Sequence, residues 1–256
     1  MIPLRDQDAL RQRFKSDLTS RVRIDYFTQK PTPLYVPGRQ DCVYCEDVKT
    51  MLEELASLSE RIALSVHELV EAGPLAKELS VDKVPAIVIR GQANRPLRFF
   101  GFPAGNEFPG FVETLIDAAR GAVDLRPETA KQLRKLKADV GLQVMVTPTC
   151  PYCPGLARAA FKLGLQSARL KVDVVEASEF PALVQRYGVR AVPTTVIDEK
   201  LVLPGAMDEA TLVQQLMRVA EGKPFAGETR AGAATALSAA APKQTPAAGG
   251  LILPGR

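Results

Sequence analysis

The four cysteines of this 256-residue chain fall in two pairs of identical spacing, Cys42-Val43-Tyr44-Cys45 and Cys150-Pro151-Tyr152-Cys153. Each pair is followed by apolar positions at helical spacing: Val48, Met51, Leu52 and Leu55 after the first, Leu156, Ala159, Ala160 and Leu163 after the second. A helix N-terminus offers unpaired N–H groups and a positive dipole end, which lower the pKa of a thiol and favour the reactive thiolate. With two residues between them, the first cysteine stays exposed while the second lies beneath it in the first turn. The chemistry this predicts is thiol–disulfide exchange. Cys42 or Cys150 attacks a disulfide, a mixed disulfide forms, and Cys45 or Cys153 resolves it. The rival chemistry is structural zinc. Paired CxxC knuckles lie ~15–20 residues apart on short turns, whereas 104 residues separate Cys45 from Cys150 and each pair here opens a helix. No metal and no bound cofactor is expected; the redox groups are the disulfides themselves.

The flanking patterns show which elements must position these pairs. Residues 7–18 read as an amphipathic helix and Val22 to Phe27 as a strand. Residues 28–41, with Pro31, Pro33, Pro37 and Gly38, read as an inserted loop before the first dithiol. A helix to about Leu58, a strand from Ile62 to Leu69, a helix from Pro74 to Ser80 and a strand beginning Val84-Pro85 follow. A further strand ends at Phe100-Gly101, and a helix covers about 107–119. After Gly121 to Pro127, the boundary, and a helix over 128–138, the order repeats: strand 142–147, the second dithiol and its helix, strand 168–175, helix 179–187, strand 193–198, a hairpin through Leu201 to Leu203, and helix 208–221.

The halves align at a single offset of 108 residues, with no gap from the dithiol to the proline. Cys42 and Cys45 map to Cys150 and Cys153, Tyr44 to Tyr152, Glu68 and Glu71 to Glu176 and Glu179, and Val84-Pro85 to Val192-Pro193. Two copies of one unit are the simplest account. The expected division is residues 1–122, residues 123–224, and a low-complexity tail over 225–256 whose Gly, Ala, Thr, Ser and Pro cannot bury enough apolar surface to order it. Proline at a strand start is unusual because it lacks the ladder N–H. The dithiol 43 residues upstream predicts a cis bond at Pro85 and Pro193. Val84 and Val192 then offer main chain to a bound peptide, as in strand addition, with Tyr44 and Tyr152 beside it.

A CxxC opening a helix, a βαβ order and Val-Pro before a strand resemble the thioredoxin fold, and Cys150-Pro151-Tyr152-Cys153 matches the glutaredoxin motif. Two such units in tandem are similar to the glutaredoxin-like protein disulfide oxidoreductases, over about residues 7–222. The resemblance implies an α/β fold class, two tandem thioredoxin-like folds, each a mixed central sheet flanked by helices. It also implies disulfide reductase, oxidase or isomerase activity and a thioredoxin-reductase-like flavoprotein as electron donor. Ala191-Val192-Pro193 and Pro204-Gly205 depart from the glutaredoxin Thr-Val-Pro and Gly-Gly, so a protein disulfide is the favoured substrate over glutathione. Asp25, in Arg23-Ile24-Asp25-Tyr26-Phe27, resembles the buried acid that takes a proton from the resolving cysteine; a partly exposed strand-end acid is the equal alternative. The comparable distance in the second half falls on Val144. His67, the single histidine, reads as a packed or satisfied polar group within a strand.

The two sites are not expected to be equivalent. Glu46 and Asp47 follow the first pair and oppose loss of a proton, whereas Pro154-Gly155 and Arg158 follow the second. Cys150 is therefore expected to be the more acidic thiol. Net charge is +4, and the richest basic stretch, Lys131 to Lys137, carries Leu133 and Leu136 at helical spacing. It reads as a solvated helix face, not a nucleic-acid patch. The N-terminus is polar from Arg5 to Ser16, and no apolar run approaches the ~18 residues of a membrane span. A cytoplasmic protein with no membrane or nucleic-acid partner is expected. Two further readings stand beside the oxidoreductase: an electron carrier from the flavoprotein to a peroxidase-type partner, and a chaperone-like peptide-binding module.

Overall fold

The computed structural model describes residues 2–30, 41–223 and 229–230. The proline-rich stretch 31–40 and nearly all of the tail lie outside the described residues. The first half runs α1 (Leu4–Asp17), β1 (Val22–Thr28), α2 (Cys45–Ser57), β2 (Ile62–Glu68), α3 (Gly73–Glu78), β3 (Ala86–Arg90), β4 (Leu97–Phe100) and α4 (Glu107–Arg120). After α5 (Pro127–Leu133), the second half runs β5 (Val140–Val146), α6 (Cys153–Gln166), β6 (Leu170–Glu176), α7 (Pro181–Tyr187), β7 (Thr194–Ile197), β8 (Leu201–Pro204) and α8 (Glu209–Ala220), with β9 (Thr229–Arg230) against β8. No helix among the described residues is long and apolar enough to cross a membrane. Helix α5 is shorter than its pattern predicts. Lys135 and Leu136 turn back to the carbonyls of Gln132 and Leu133, which tightens the chain toward β5 while keeping Leu136 buried.

Nine strands form one sheet in the order β2-β1-β3-β4-β6-β5-β7-β8-β9. Each half contributes a parallel pair (β1 with β2, β5 with β6) and two antiparallel pairs. The halves are joined by parallel pairing of β4 with β6, from Leu97 opposite Val172 to Phe100 opposite Val175. Arg98 and Asp173 face each other across that join, and the guanidinium Nε donates to the carboxylate at 2.5 Å with both side chains buried.

Side chains alternate between the faces of a strand, and the two faces carry two cores. Ile24, Tyr26, Ile87, Phe99, Val144 and Val174 pack beneath α2, α4, α6 and α8. Phe27, Val88, Phe100, Met145, Val175 and Val196 pack with residues of the α3 and α7 segments on the other face. Because β1, β4, β5 and β6 run in one direction, both dithiols follow strand ends on the same edge of the sheet, and their helices cover the same face.

Candidate dithiol sites

Both cysteine pairs are closed as disulfides. In each, the second cysteine is the buried first residue of its helix, α2 or α6. The environments of the first cysteines differ. Cys150 is only 7% exposed, and its sulfur accepts the backbone N–H of Cys153 at 3.1 Å. Cys42 is half-buried, with exposed Val43 and Tyr44 beside it. Tyr152 is exposed in the equivalent place.

The peptides Val84-Pro85 and Val192-Pro193 are both cis. Each proline immediately precedes the strand that pairs with the dithiol's own strand, β3 with β1 and β7 with β5. The Pro85 carbonyl accepts the N–H of Gly101 at 2.9 Å, and the Pro193 carbonyl accepts that of Gly205 at 2.8 Å. Val84 and Val192 are half-buried on that edge. The fold thus gathers Cys42, Cys45, Tyr44, Val84 and Pro85 at one end of β1, and Cys150, Cys153, Tyr152, Val192 and Pro193 at the corresponding end of β5.

Asp25 is not brought to the dithiol. It is buried, and its carboxylate bonds Arg90 through Nε (3.1 Å) and Nη2 (2.5 Å) and His67 through Nε2 (3.1 Å). His67 is thereby satisfied, and its ring lies 5.1 Å from that of Phe27. Tyr26, on the opposite face, is the side chain that reaches the site: its hydroxyl donates to the carbonyl of Cys45 at 2.6 Å. The register explains the difference. Tyr26 pairs with Val66 and Ile87, and Val144 pairs with Val174 and Thr195. Each partner in the second set lies 108 residues beyond its counterpart in the first. Tyr26, and not Asp25, therefore occupies the place of Val144, and a one-residue step moves a side chain to the other face. Burial pushes the Tyr26 phenol well above its ordinary value.

A buried carboxyl from the first half lies against α6, the helix that the second dithiol opens. Glu107 opens α4, is 2% exposed, and lines an enclosed space between α4 and α6 with Gly110, Thr114, Pro154, Ala157 and Arg158. Its Oε1 has no hydrogen-bond partner among the described residues. Burial raises its pKa from 4.5 to about 7. The loop preceding α4 also touches the second site, for Asn106 donates its N–H to the carbonyl of Pro148 at 2.9 Å. No sequence signal links Glu107 to a dithiol in the other half; an acid in a first helical turn is ordinary. Arg158 acts differently from what its place in the sequence suggests. It pairs with Glu113 at 3.0 Å and Asp117 at 2.6 Å on α4, so its charge is largely neutralised before it bears on Cys150.

Residues 140–218 match the thioredoxin domain family. The fold of the chain is similar to that of a protein disulfide oxidoreductase from Aeropyrum pernix K1, with a TM-score of 0.77 at 24% identity over 88% of this chain and 97% of that one. It is also similar to the N-terminal domain of the alkyl hydroperoxide reductase AhpF from Enterococcus faecalis, with a TM-score of 0.74 at 20% identity over 84% of this chain and 100% of that one. In sequence, the chain is 25% identical over 176 residues to the corresponding alkyl hydroperoxide reductase protein of Xanthomonas campestris pv. phaseoli, covering 69% of this chain and 32% of that protein. The chain spans about a third of the length of the curated relatives it first matches. With its β-α-β-α-β-β-α order repeated around two disulfide-closed pairs, the chain has two CxxC sites in a tandem thioredoxin-like fold, and residues 140–218 of it match the thioredoxin domain family.

Proposed function

We propose that this protein is a protein disulfide oxidoreductase that performs thiol–disulfide exchange at both CxxC sites. One observation carries the reading. At two places on one sheet edge, a cysteine pair opens a helix with its second sulfur buried and a Val-Pro unit beside it. The working units are residues 1–122 and 123–224, with 225–256 as an appendage.

In the reductive direction, the Cys150 thiolate attacks one sulfur of a protein disulfide. The Cys150–substrate bond forms, the substrate disulfide breaks, and the departing sulfur leaves as a thiolate that takes a proton from water. Cys153 then loses its proton, attacks Cys150 and releases the second substrate thiolate, leaving the Cys150–Cys153 disulfide. Glu107 supports the second step. It shares a cavity with Pro154, the residue after Cys153, and a carboxyl titrating near pH 7 can accept a proton at neutral pH. Cys42 and Cys45 take the same roles at the first site. There Tyr26 holds the Cys45 carbonyl, and the Asp25–Arg90–His67 cluster serves the sheet, not the proton transfer. Val84 and Val192 supply main chain to the substrate beside Tyr44 and Tyr152.

A thioredoxin-reductase-like flavoprotein is the proposed electron donor. The likeness to the alkyl hydroperoxide reductase AhpF supports a second reading, a carrier passing electrons from that donor to a peroxidase-type partner. Trapping tests the shared chemistry. Cys153→Ser and Cys45→Ser each remove a resolving thiol, so each variant, reduced and mixed with insulin, should retain a covalent adduct at Cys150 or Cys42 respectively. Absence of an adduct from both variants contradicts the oxidoreductase reading and leaves the peptide-binding module.

A further inference from the structure

The loop Gly101–Asn106 is tied to both halves. On one side, the N–H of Gly101 bonds the Pro85 carbonyl at the first site, and on the other the N–H of Asn106 bonds the Pro148 carbonyl at the second. Between them, the N–H of Phe102 donates to Oε1 of Glu179 at 2.6 Å. Glu179 belongs to the second half, on the turn between β6 and α7. Its repeat counterpart, Glu71, is exposed and ion-paired with Lys30 at 2.6 Å, whereas Glu179 has no cation within ion-pair distance among the described residues. The seat exists because residue 101 is glycine. Its φ is +99°, and a Cβ there would stand 2.8 Å from Glu179 Oε1 and 2.6 Å from Glu176 Cβ.

The other end of this contact is the first dithiol. The Phe102 ring lies 6.2 Å from that of Tyr44, which stands between the two cysteines and caps α2. We propose that Glu179, reaching from the second half through Phe102, is a positioning residue for the first dithiol, Cys42–Cys45. Its carboxyl seats the loop that holds Tyr44, and its charge bears on the thiols of that pair. The negative charges of Glu46 and Glu179 both act on Tyr26, whose hydroxyl bonds the Cys45 carbonyl. Burial, with Glu176 beside it, raises the Glu179 pKa to about 7 against the lowering effect of the Phe102 N–H. Other charged groups around this region among the described residues include Glu46 and Asp47 in the first turn of α2, with Lys49 3.9 Å from Glu46, Glu176 on the same turn as Glu179, and Lys83, which sits over the Phe100 ring and pairs with Asp82. Above pH 7 the ionised Glu179 opposes loss of a proton from the first pair; below it, the neutral acid does not.

This role rests on Cys42–Cys45 being a dithiol site, but its readout is thiol ionisation, which is measured whether or not the protein turns over disulfides. In reduced full-length protein carrying Cys150→Ser and Cys153→Ser, thiolate absorbance of the first pair is followed against pH. The wild-type position 179 should give a curve with an added inflection near pH 7. Glu179→Gln, which retains an oxygen for the Phe102 N–H, should abolish that inflection and raise the thiolate fraction at pH 8 by roughly threefold, which corresponds to about half a pKa unit. Glu179→Asp should restore the inflection. The second pair, titrated in a Cys42→Ser and Cys45→Ser background, should respond to none of these. A first-pair curve without the inflection in the unsubstituted protein, or an equal change at both pairs in Glu179→Gln, overturns the proposal.

Discussion

Glu107 holds its proton up to about pH 7, and so exists in both forms near neutrality, because water, the solvent that would stabilise its charge, is excluded between α4 and α6. Its pKa is raised above the ordinary 4.5 to about 7, so the folded state holds the proton more tightly than the unfolded chain. Stability from this group is fully present below about pH 4.5 and is lost as pH rises through about 7. Glu107→Gln should therefore melt together with wild type at pH 4.5, and be the more stable protein at pH 8 by on the order of 3 kcal/mol. Paired thermal melts at the two pH values check this, and equal stability at pH 8 contradicts it. The same variant should slow release of a Cys150-linked substrate, the step that needs the Cys153 proton removed. At the first cysteines, Glu46 and Asp47 stand in the first turn after Cys42, while Cys150 accepts the Cys153 N–H. Cys150 should remain the more acidic thiol even though Arg158 is engaged by α4, and a titration in which Cys42 ionises first contradicts that. The cysteines, the Val-Pro units and the tyrosines are legible in sequence because spacing alone defines them. Glu107 is not, since only tertiary packing carries it to the helix behind the dithiol in the other half. Asp25 misleads because the insertion hides the strand register, and one residue of register reverses the face.

At the scale of elements, the loop between β4 and α4 does what no repeat pattern announces. Gly105 has φ +56°, and a Cβ there would stand 2.6 Å from the Pro148 carbonyl oxygen, on the loop that presents Cys150. Gly105→Ala adds left-handed backbone strain of about 1 kcal/mol and pushes on that loop. It should slow alkylation of Cys150 severalfold while leaving Cys42 near the wild-type rate. Equal rates at both sites in the variant would show that the loop does not seat the second dithiol. The helices and strands that frame the sites follow their apolar periods closely, as in α2, whose inward face is Val48, Met51, Leu52 and Leu55. The loop has no period to read; its placement comes from backbone hydrogen bonds to residues far along the chain.

At the scale of the molecule, the duplicated order in the sequence points to two units, each with its own sheet. What the repeat does not reveal is that β4 and β6 pair, so that the two sheets become one. The sequence shows Leu97–Phe100 only as a strand ending at Phe100-Gly101, yet all four residues, Arg98 included, are buried. Asp173, its partner, lies 75 residues away. Removing one member of a buried ion pair leaves the other uncompensated, which costs about 3–5 kcal/mol. Arg98→Ala should lower the stability of the whole chain by that order in urea unfolding. Because the join is continuous, wild type should unfold in one transition, and two well-separated wild-type transitions would contradict the shared sheet as a cooperative unit. Whether both dithiols exchange disulfides is tested most directly by dithiothreitol-driven reduction of insulin. Wild type, Cys42→Ser, Cys150→Ser and the double variant are compared at equal concentration. Exchange at both sites predicts a measurable loss in each single variant and a rate at the uncatalysed level in the double variant; equal turnover by all four proteins would contradict it.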